Sequence, residues 1–250
     1  GHVLSRRSGR SRVCPGQRGP VPAGERAAAQ GATREARTFL DHALAGLDPD
    51  DHERRWRVLL SREAVLDLRE ERAAQREDID ALLKLAEALH DDSRRAQALL
   101  LQANYANRME NYQLMLQASV AAAAAAMRQG DSSREMQALS RKVIALARLE
   151  QWNVAGPIVD ELFARLPGIT DLVAQDKILS ALTLYYSDVG DIARALLLRQ
   201  RSIELARRAG DHSLESRQLM SIGYLYTRLG LYTKACAIYE QGLALAETLG

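Results

Sequence analysis

The sequence is poor in the residues that build disulfide-bonded, aromatic or metal-binding sites. It has two cysteines, two tryptophans and two phenylalanines among 250 residues. Two cysteines, of which Cys14 lies in an arginine-rich N-terminal stretch, exclude a disulfide framework and suit a reducing compartment. We therefore expect a cytoplasmic protein. The longest uncharged run, residues 111–127, is too short and too polar to span a membrane, so we expect no membrane partner.

The sequence also lacks the spacings that support catalysis or cofactor binding. Its five histidines are scattered, and no His-x₃-His, Cys-x₂-Cys or phosphate-binding glycine loop is present. Cys236 has no histidine or acid at a spacing that would make it a nucleophile, and we interpret it as a small buried or half-buried side chain. We expect no enzyme, no metal and no cofactor.

Charge is unevenly distributed along the chain. Residues 1–22 carry five arginines and no acid, and removing them leaves 29 basic against 32 acidic residues, a net charge of −3. This balance argues against nucleic acid as a partner of the remaining chain. Residues 1–22 are interpreted as a disordered tail or a non-native segment.

A forty-residue period runs through the rest of the chain. Aspartate recurs at positions 51, 91, 131, 171 and 211, and leucine recurs at 59, 99, 139, 179 and 219. Aspartate is a good helix N-cap, because its side-chain oxygen accepts the free N–H groups of the first turn. Apolar residues with helical spacing follow, then a break and a second amphipathic helix, and Gly130 and Gly210 stand where glycines end helices.

Each period therefore predicts one helix pair, and few prolines and many alanines and leucines support an all-α fold. Pro157 falls inside a predicted second helix, which should start late, near Gly156, or be kinked there. The six alanines of residues 121–126 are interpreted as a close helix contact. The predicted helices are 33–46, 53–68, 72–89, 93–108, 111–128, 133–149, 152–166, 172–188, 191–209, 213–229 and 232–249.

The residues Leu219-x₂-Ile222-Gly223-x₂-Tyr226, followed by Ala235-x₃-Tyr239, resemble the tetratricopeptide repeat. The resemblance implies an α-solenoid of antiparallel helix pairs in a right-handed superhelix, with Tyr226, Ala235 and Tyr239 as core. The longer period resembles repeats of large bacterial signalling ATPases, transcriptional activators and cyclases. The predicted repeats are 52–90, 91–130, 131–170, 171–210 and 211–250, with a partial repeat at 23–50, so that residues 23–250 form one repeat domain.

In that family the first helices of the repeats line a concave groove for an extended peptide or a partner helix. Matching positions resemble a carboxylate clamp only in part: Asn104, Arg141 and Lys177 fit, whereas Leu100 and Ala181 stand where that clamp has cations. The resemblance assigns the following residues to the groove: Asn104, Asn107, Arg108, Ser140, Arg141, Arg148, Lys177, Ser180, Arg217, Tyr224 and Arg228.

The favoured function is a non-enzymatic protein-protein interaction scaffold, the partner-binding or effector-sensing array of a larger bacterial regulator. The alternative is the small-molecule sensor domain of a signalling ATPase or transcriptional activator. Because Tyr224 is the one aromatic residue among the groove candidates, a peptide is favoured over a sugar or nucleotide. The apolar last helix also predicts that the chain self-associates through residues 213–249 or frays there.

Overall fold

The structure, a computed structural model, describes residues 32–248. Residues 1–31, which include the predicted tail, lie outside this range, as do Leu249 and Gly250. The described residues form eleven α-helices and no strand, so the predicted all-α array of antiparallel helix pairs is confirmed. The helices are α1 (Thr33–Ala45), α2 (His52–Leu68), α3 (Arg72–Ala88), α4 (Asp92–Arg108), α5 (Tyr112–Arg128), α6 (Ser132–Arg148), α7 (Trp152–Arg165), α8 (Leu172–Asp188), α9 (Ile192–Ala209), α10 (His212–Arg228) and α11 (Tyr232–Glu247).

The aspartates of the forty-residue period are helix N-caps, as predicted. The side chains of Asp51, Asp91 and Asp131 accept the backbone N–H three residues further on, at 3.1, 3.0 and 2.9 Å. Asp211 does the same at 2.8 Å, and Asp171 accepts from the residue two positions on. These bonds satisfy N–H groups that the helix itself leaves free, which is why the predicted helices begin within a residue of the observed ones.

Helix ends follow a twenty-residue period that the sequence shows only in part. The residues with positive φ are Glu70, His90, Glu110, Gly130, Glu150, Gly190, Gly210 and Gly230. Gly130 and Gly210 therefore end their helices in the left-handed conformation, as predicted. The three glutamates and His90 adopt the same conformation, which costs free energy in residues with a Cβ atom and gives no sequence signal.

The chain forms two compact units that divide between Leu85 and Ala86, inside α3. In the first unit, Ala36, Leu40 and Ala43 of α1 pack against Val58 and Val65 of α2. Charged and polar groups connect helices α2 and α3. The buried side chain of Gln75, for example, donates to Glu63 Oε1 at 2.8 Å.

The second unit has two kinds of core. Between α4, α5 and α6 the buried residues are mainly alanines, with Met115 as the one larger buried side chain in its cluster. Ala122, Ala125 and Ala126 of the alanine run are fully buried, which confirms the predicted close packing. From α6 to α9 the core uses large aliphatic side chains, among them Leu162, Ile178 and Leu182.

Helix α7 corrects the expectation for Pro157. The helix begins at Trp152 and continues through the proline to Arg165, so the predicted late start near Gly156 is wrong. The carbonyl that loses its partner belongs to Asn153, an exposed residue of the first turn, where water can replace the missing N–H group. Gly156 has a different role, because a Cβ atom there would lie 3.3 Å from the Tyr185 hydroxyl oxygen.

The last helix pair confirms most of the predicted core. The Tyr239 ring lies against Gly223, where an added Cβ atom would approach its Cε1 atom to 2.5 Å, and Ala235 is buried. Cys236, predicted to be buried or half-buried, is exposed instead. It follows Ala235 on the helix and is therefore rotated by about 100° away from the contact with α10.

Candidate functional site

The predicted groove residues lie on alternate helices of the second unit. Helices α4, α6, α8 and α10 are the first helices of their pairs, and α6 packs against both α4 and α8. We call the outward-facing polar surface of these four helices the first-helix face. On this face, side chains at the same position of successive repeats are in contact. For example, Lys177 Nζ donates to Gln137 Oε1, forty residues earlier, at 3.1 Å.

Similar bonds connect the other first helices. Arg134 of α6 donates to Ser93 Oγ of α4 at 3.1 Å, and Gln218 of α10 donates to Asp176 Oδ1 of α8 at 3.1 Å. The partners in these pairs are 41 and 42 residues apart. The first-helix face is therefore a continuous surface in which neighbouring helices are held in register by side chains.

Three cations form a cluster on this face, which we call the cation cluster: Arg108 of α4, Arg141 of α6 and Lys177 of α8. Arg141 is half-buried, and the positive charges of Arg108 and Lys177 are close enough to repel it. No carboxylate within residues 32–248 forms an ion pair with Arg141. A shielded cation between two other cations favours an anion, because the Arg141 charge is partly removed from water without a neighbouring acid to offset that cost.

Protonation at the cation cluster reflects this crowding. Burial and the neighbouring Arg108 guanidinium lower the pKa of Arg141. Burial and the Arg141 charge lower the pKa of Lys177 in the same way, with Asp171 and Asp176 opposing. Arg141 keeps its charge, because a guanidinium is not deprotonated in proteins.

Three of the predicted groove residues are committed to contacts inside the protein. Ser140 is fully buried, and its hydroxyl donates to the Met136 carbonyl, so it does not reach the first-helix face. Ser180 Oγ accepts from Arg199 Nη1 at 3.0 Å. Arg228 donates to the Ser187 carbonyl at 2.9 Å and lies 3.8 Å from Asp188, which ties α10 to α8.

The remaining candidates are spread along the face. Asn104 is half-buried one helical turn before Arg108, whereas Asn107, Arg148 and Arg217 are exposed. Tyr224 is 58% exposed. These residues are available to a ligand, and the cation cluster is the place where three of the predicted side chains converge.

A polar network behind the face had no counterpart in the sequence analysis. Arg199 of α9 donates to Ser180 Oγ at 3.0 Å and to Gln218 Oε1 at 2.6 Å. Its Nε atom is buried without a hydrogen-bond partner among the described residues, and the nearby Ser202 hydroxyl lies beside the Asp176 carboxylate. Arg199 lies on a second helix, where the period predicts apolar packing. The one available signal was a charged residue at a position that the other repeats fill with uncharged residues, Ile79, Ser119, Val159 and Tyr239.

Within residues 32–248, no helix is both long and apolar enough to cross a membrane. No group of three or more His, Cys, Asp or Glu side chains in that range is placed to hold a metal ion.

Neither a protein-family model nor a curated protein sequence matches the chain, but solved structures share its fold. The apo form of RapI is 11% identical with a TM-score of 0.74, and the match covers 92% of this chain and 82% of RapI. A Rap protein complexed with competence and sporulation factor is 12% identical with a TM-score of 0.72. The match covers 84% of this chain and 58% of that Rap protein. The Rap conjugation gene regulator of plasmid pLS20, in complex with the Phr* peptide, is 11% identical with a TM-score of 0.66. The match covers 92% of this chain and 73% of the regulator. The chain thus shares a tetratricopeptide-like helical repeat fold with these proteins.

Proposed function

We propose that this protein is a non-enzymatic protein-protein interaction scaffold whose first-helix face binds an extended peptide or protein segment carrying a negative charge. The observation that carries the proposal is Arg141, a half-buried cation between Arg108 and Lys177 without an acid among the described residues. A carboxylate of the partner would supply the missing charge and accept several hydrogen bonds from the guanidinium.

Similar structures give secondary support. A Rap protein was solved in complex with competence and sporulation factor, and the pLS20 regulator was solved in complex with the Phr* peptide. Ligand binding by those proteins suggests the same kind of work for this array. We also propose that the repeats are of the lengthened forty-residue kind, because the helix pairs recur at that interval. The proposed setting is the cytoplasm, where the array would form part of a larger bacterial regulator.

A peptide selection tests the proposal. A displayed library of random twelve-residue peptides is selected on the immobilised chain and, in parallel, on the variant Arg108→Met, Arg141→Met, Lys177→Met. We expect Asp and Glu to be enriched on the unmodified chain, and the selected peptides to bind the variant at least about tenfold more weakly.

A matched control removes three exposed cations elsewhere, in the variant Arg201→Met, Arg208→Met, Lys234→Met. It has the same net charge as the first variant, so long-range attraction is equally reduced in both. If both variants lose affinity equally, or if acidic residues are not enriched, the cation cluster is not the binding site.

A further inference from the structure

The cation cluster holds more unused hydrogen-bond donors than one carboxylate can accept. The guanidinium of Arg141 makes no hydrogen bond with a described residue, so all five of its N–H groups are available. Lys177 uses one N–H for Gln137, and two remain. A carboxylate has two oxygen atoms, whereas a phosphate monoester has three oxygens that are strong acceptors.

These donors are open to a ligand. Among the described side chains, Arg199 Nε is the one nitrogen that is buried without a partner, so the nitrogens of Arg141 still reach water. Gln137 lies four residues before Arg141 and therefore on the same side of α6. Because Lys177 Nζ is bonded to Gln137, it lies about one helical turn from Arg141. Donors from two neighbouring helices thus meet on the first-helix face.

Positive charge also exceeds negative charge around the cluster. Asp171 and Asp176 are the acids that act on Lys177 and offset part of its charge. Asp171 caps α8, and Asp176 is itself balanced by the charges of Arg199 and Arg217. With the other two members of the cluster, this neighbourhood holds five cations and two acids. A single carboxylate offsets one charge of the excess, and a doubly charged group offsets two.

We propose that the cation cluster binds a phosphorylated side chain of the partner segment, so that phosphorylation of the partner raises its affinity for the first-helix face. A phosphate monoester carries about −1.5 to −2 charges near neutral pH, more than the single charge of a carboxylate. The proposal rests on the proposed function, since it names the anion that the same site prefers. Acidic side chains are then weaker substitutes for the phosphate.

Two capped tripeptides, Ala-phosphoserine-Ala and Ala-Glu-Ala, test the preference. Their binding is followed by NMR through the Nε–H signal of Arg141, which is assigned by its absence in Arg141→Met. At constant ionic strength and about pH 7.5, we expect the phosphoserine form to bind at least about tenfold more tightly. Inorganic phosphate is a third probe. If it binds more tightly than the phosphoserine tripeptide, the site belongs to a free anion and the proposal is wrong.

The preference should follow the ionisation of the phosphate. Its second pKa is about 6, whereas glutamate titrates near about 4.3. Lowering the pH from about 7.5 to about 5 should therefore reduce the ratio of the two affinities at least about threefold. Protonation of Asp171 or Asp176 would add positive charge and favour the dianion, so it cannot imitate this loss. A ratio that is the same at both pH values contradicts the proposal.

Protein variants test whether the extra charge of the cluster sets the preference. Lys177→Met and Arg108→Met each remove one cation and keep Arg141. Each should lower the ratio of the two affinities at least about threefold, because less positive charge remains for the second negative charge of the phosphate. Arg201→Met, at an exposed arginine of α9, is the control and should leave the ratio unchanged. A ratio unchanged in both cluster variants overturns the proposal.

The same titrations separate this inference from the proposed function. Equal affinities for the two tripeptides, weakened alike by Lys177→Met, would overturn the preference for phosphate and leave an acid-binding face. If neither tripeptide moves the Arg141 signal, the cation cluster binds no anion and both proposals fail.

Discussion

Two arginines shielded from water differ in what surrounds them. Arg62, in the first unit, donates from Nε to Asp78 Oδ2 at 2.8 Å and from Nη1 to Asp41 Oδ1 at 2.9 Å. Arg141, in the second unit, has two cations as charged neighbours and no acid among the described residues. A guanidinium paired with acids on other helices helps to hold those helices together. An unpaired guanidinium shielded from water lowers stability, so its presence needs another explanation. The difference indicates that Arg62 serves the structure and that Arg141 serves a ligand.

The largest effect is expected when the paired arginine is removed. Arg62→Met leaves the carboxylate of Asp78, which is 1% exposed, buried without its main partner. Breaking a buried pair in this way should lower the free energy of unfolding by about 3–5 kcal/mol. Urea unfolding followed by Trp56 fluorescence in a Trp152→Phe background measures it, with the exposed Arg57→Met as control. A loss no larger than that of the control would mean that the pair does not stabilise the unit.

Arg165, a paired arginine in the same unit as Arg141, tests whether the stabilising effect of an arginine depends on its pairing or on the unit in which it lies. Arg165 donates to Glu135 Oε1 at 2.8 Å and holds the pKa of that carboxyl below its usual range. Because the folded pKa is lowered, the pair stabilises the protein above the unfolded pKa and this contribution disappears as pH falls through the folded pKa. Arg165→Met should cost about 1 kcal/mol at pH 7.

The same variant should also flatten the dependence of unfolding free energy on pH below about pH 5. Denaturation at a series of pH values from 2 to 7 provides the measurement. An unchanged slope in Arg165→Met would show that Glu135 is not stabilised by this partner.

Removing the unpaired arginine should leave the fold intact. Burial and Arg108 both disfavour the charged form of Arg141, and methionine keeps the apolar part of the side chain. Arg141→Met should therefore leave the free energy of unfolding unchanged or raise it by up to about 1 kcal/mol. Trp152 fluorescence in a Trp56→Phe background follows this unit. A loss as large as that of Arg165→Met would assign Arg141 a structural role.

A smaller effect is expected at Lys177, whose pKa is lowered by burial and by the Arg141 charge. Since its folded pKa lies below its unfolded value, protonated Lys177 destabilises the fold, and this penalty disappears as pH rises towards the unfolded value. Arg141→Met should raise the Lys177 pKa and reduce the penalty. Titration of ¹³C-labelled lysine by NMR measures the shift, with Arg148→Met as control. An unchanged Lys177 pKa would show that the Arg141 charge does not act on Lys177.

Sequence patterns predicted the helices well because the signals for them are local. An aspartate cap and the apolar spacing behind it lie within one or two turns, so the position of Asp131 alone places the start of α6. The late start predicted from Pro157 was wrong because the cost of the proline depends on whether the orphaned carbonyl of Asn153 can reach water, and the predicted kink stays a prediction. Positive φ at Glu110 and Glu150 was not predicted, because a glutamate carries no preference for that conformation.

The candidate site was predictable by residue type but not by environment. Arg108, Arg141 and Lys177 were all identified from repeat positions. Their crowding and the missing acid depend on contacts between residues 33 and 36 positions apart on neighbouring helices. Ser140 was misplaced because helical spacing locates a face only to within one residue, and a rotation of about 100° separates it from Arg141.

The most direct test of the central claim is a double-mutant cycle between Arg141 and an acid of a selected peptide. Each Asp or Glu of the peptide is replaced in turn by Asn or Gln, and its dissociation constant is measured for the unmodified chain and for Arg141→Met. We predict one acid whose replacement weakens binding at least about fivefold to the unmodified chain and less than about twofold to Arg141→Met. If every replacement has the same effect on both proteins, Arg141 does not hold the partner's charge and the account is wrong.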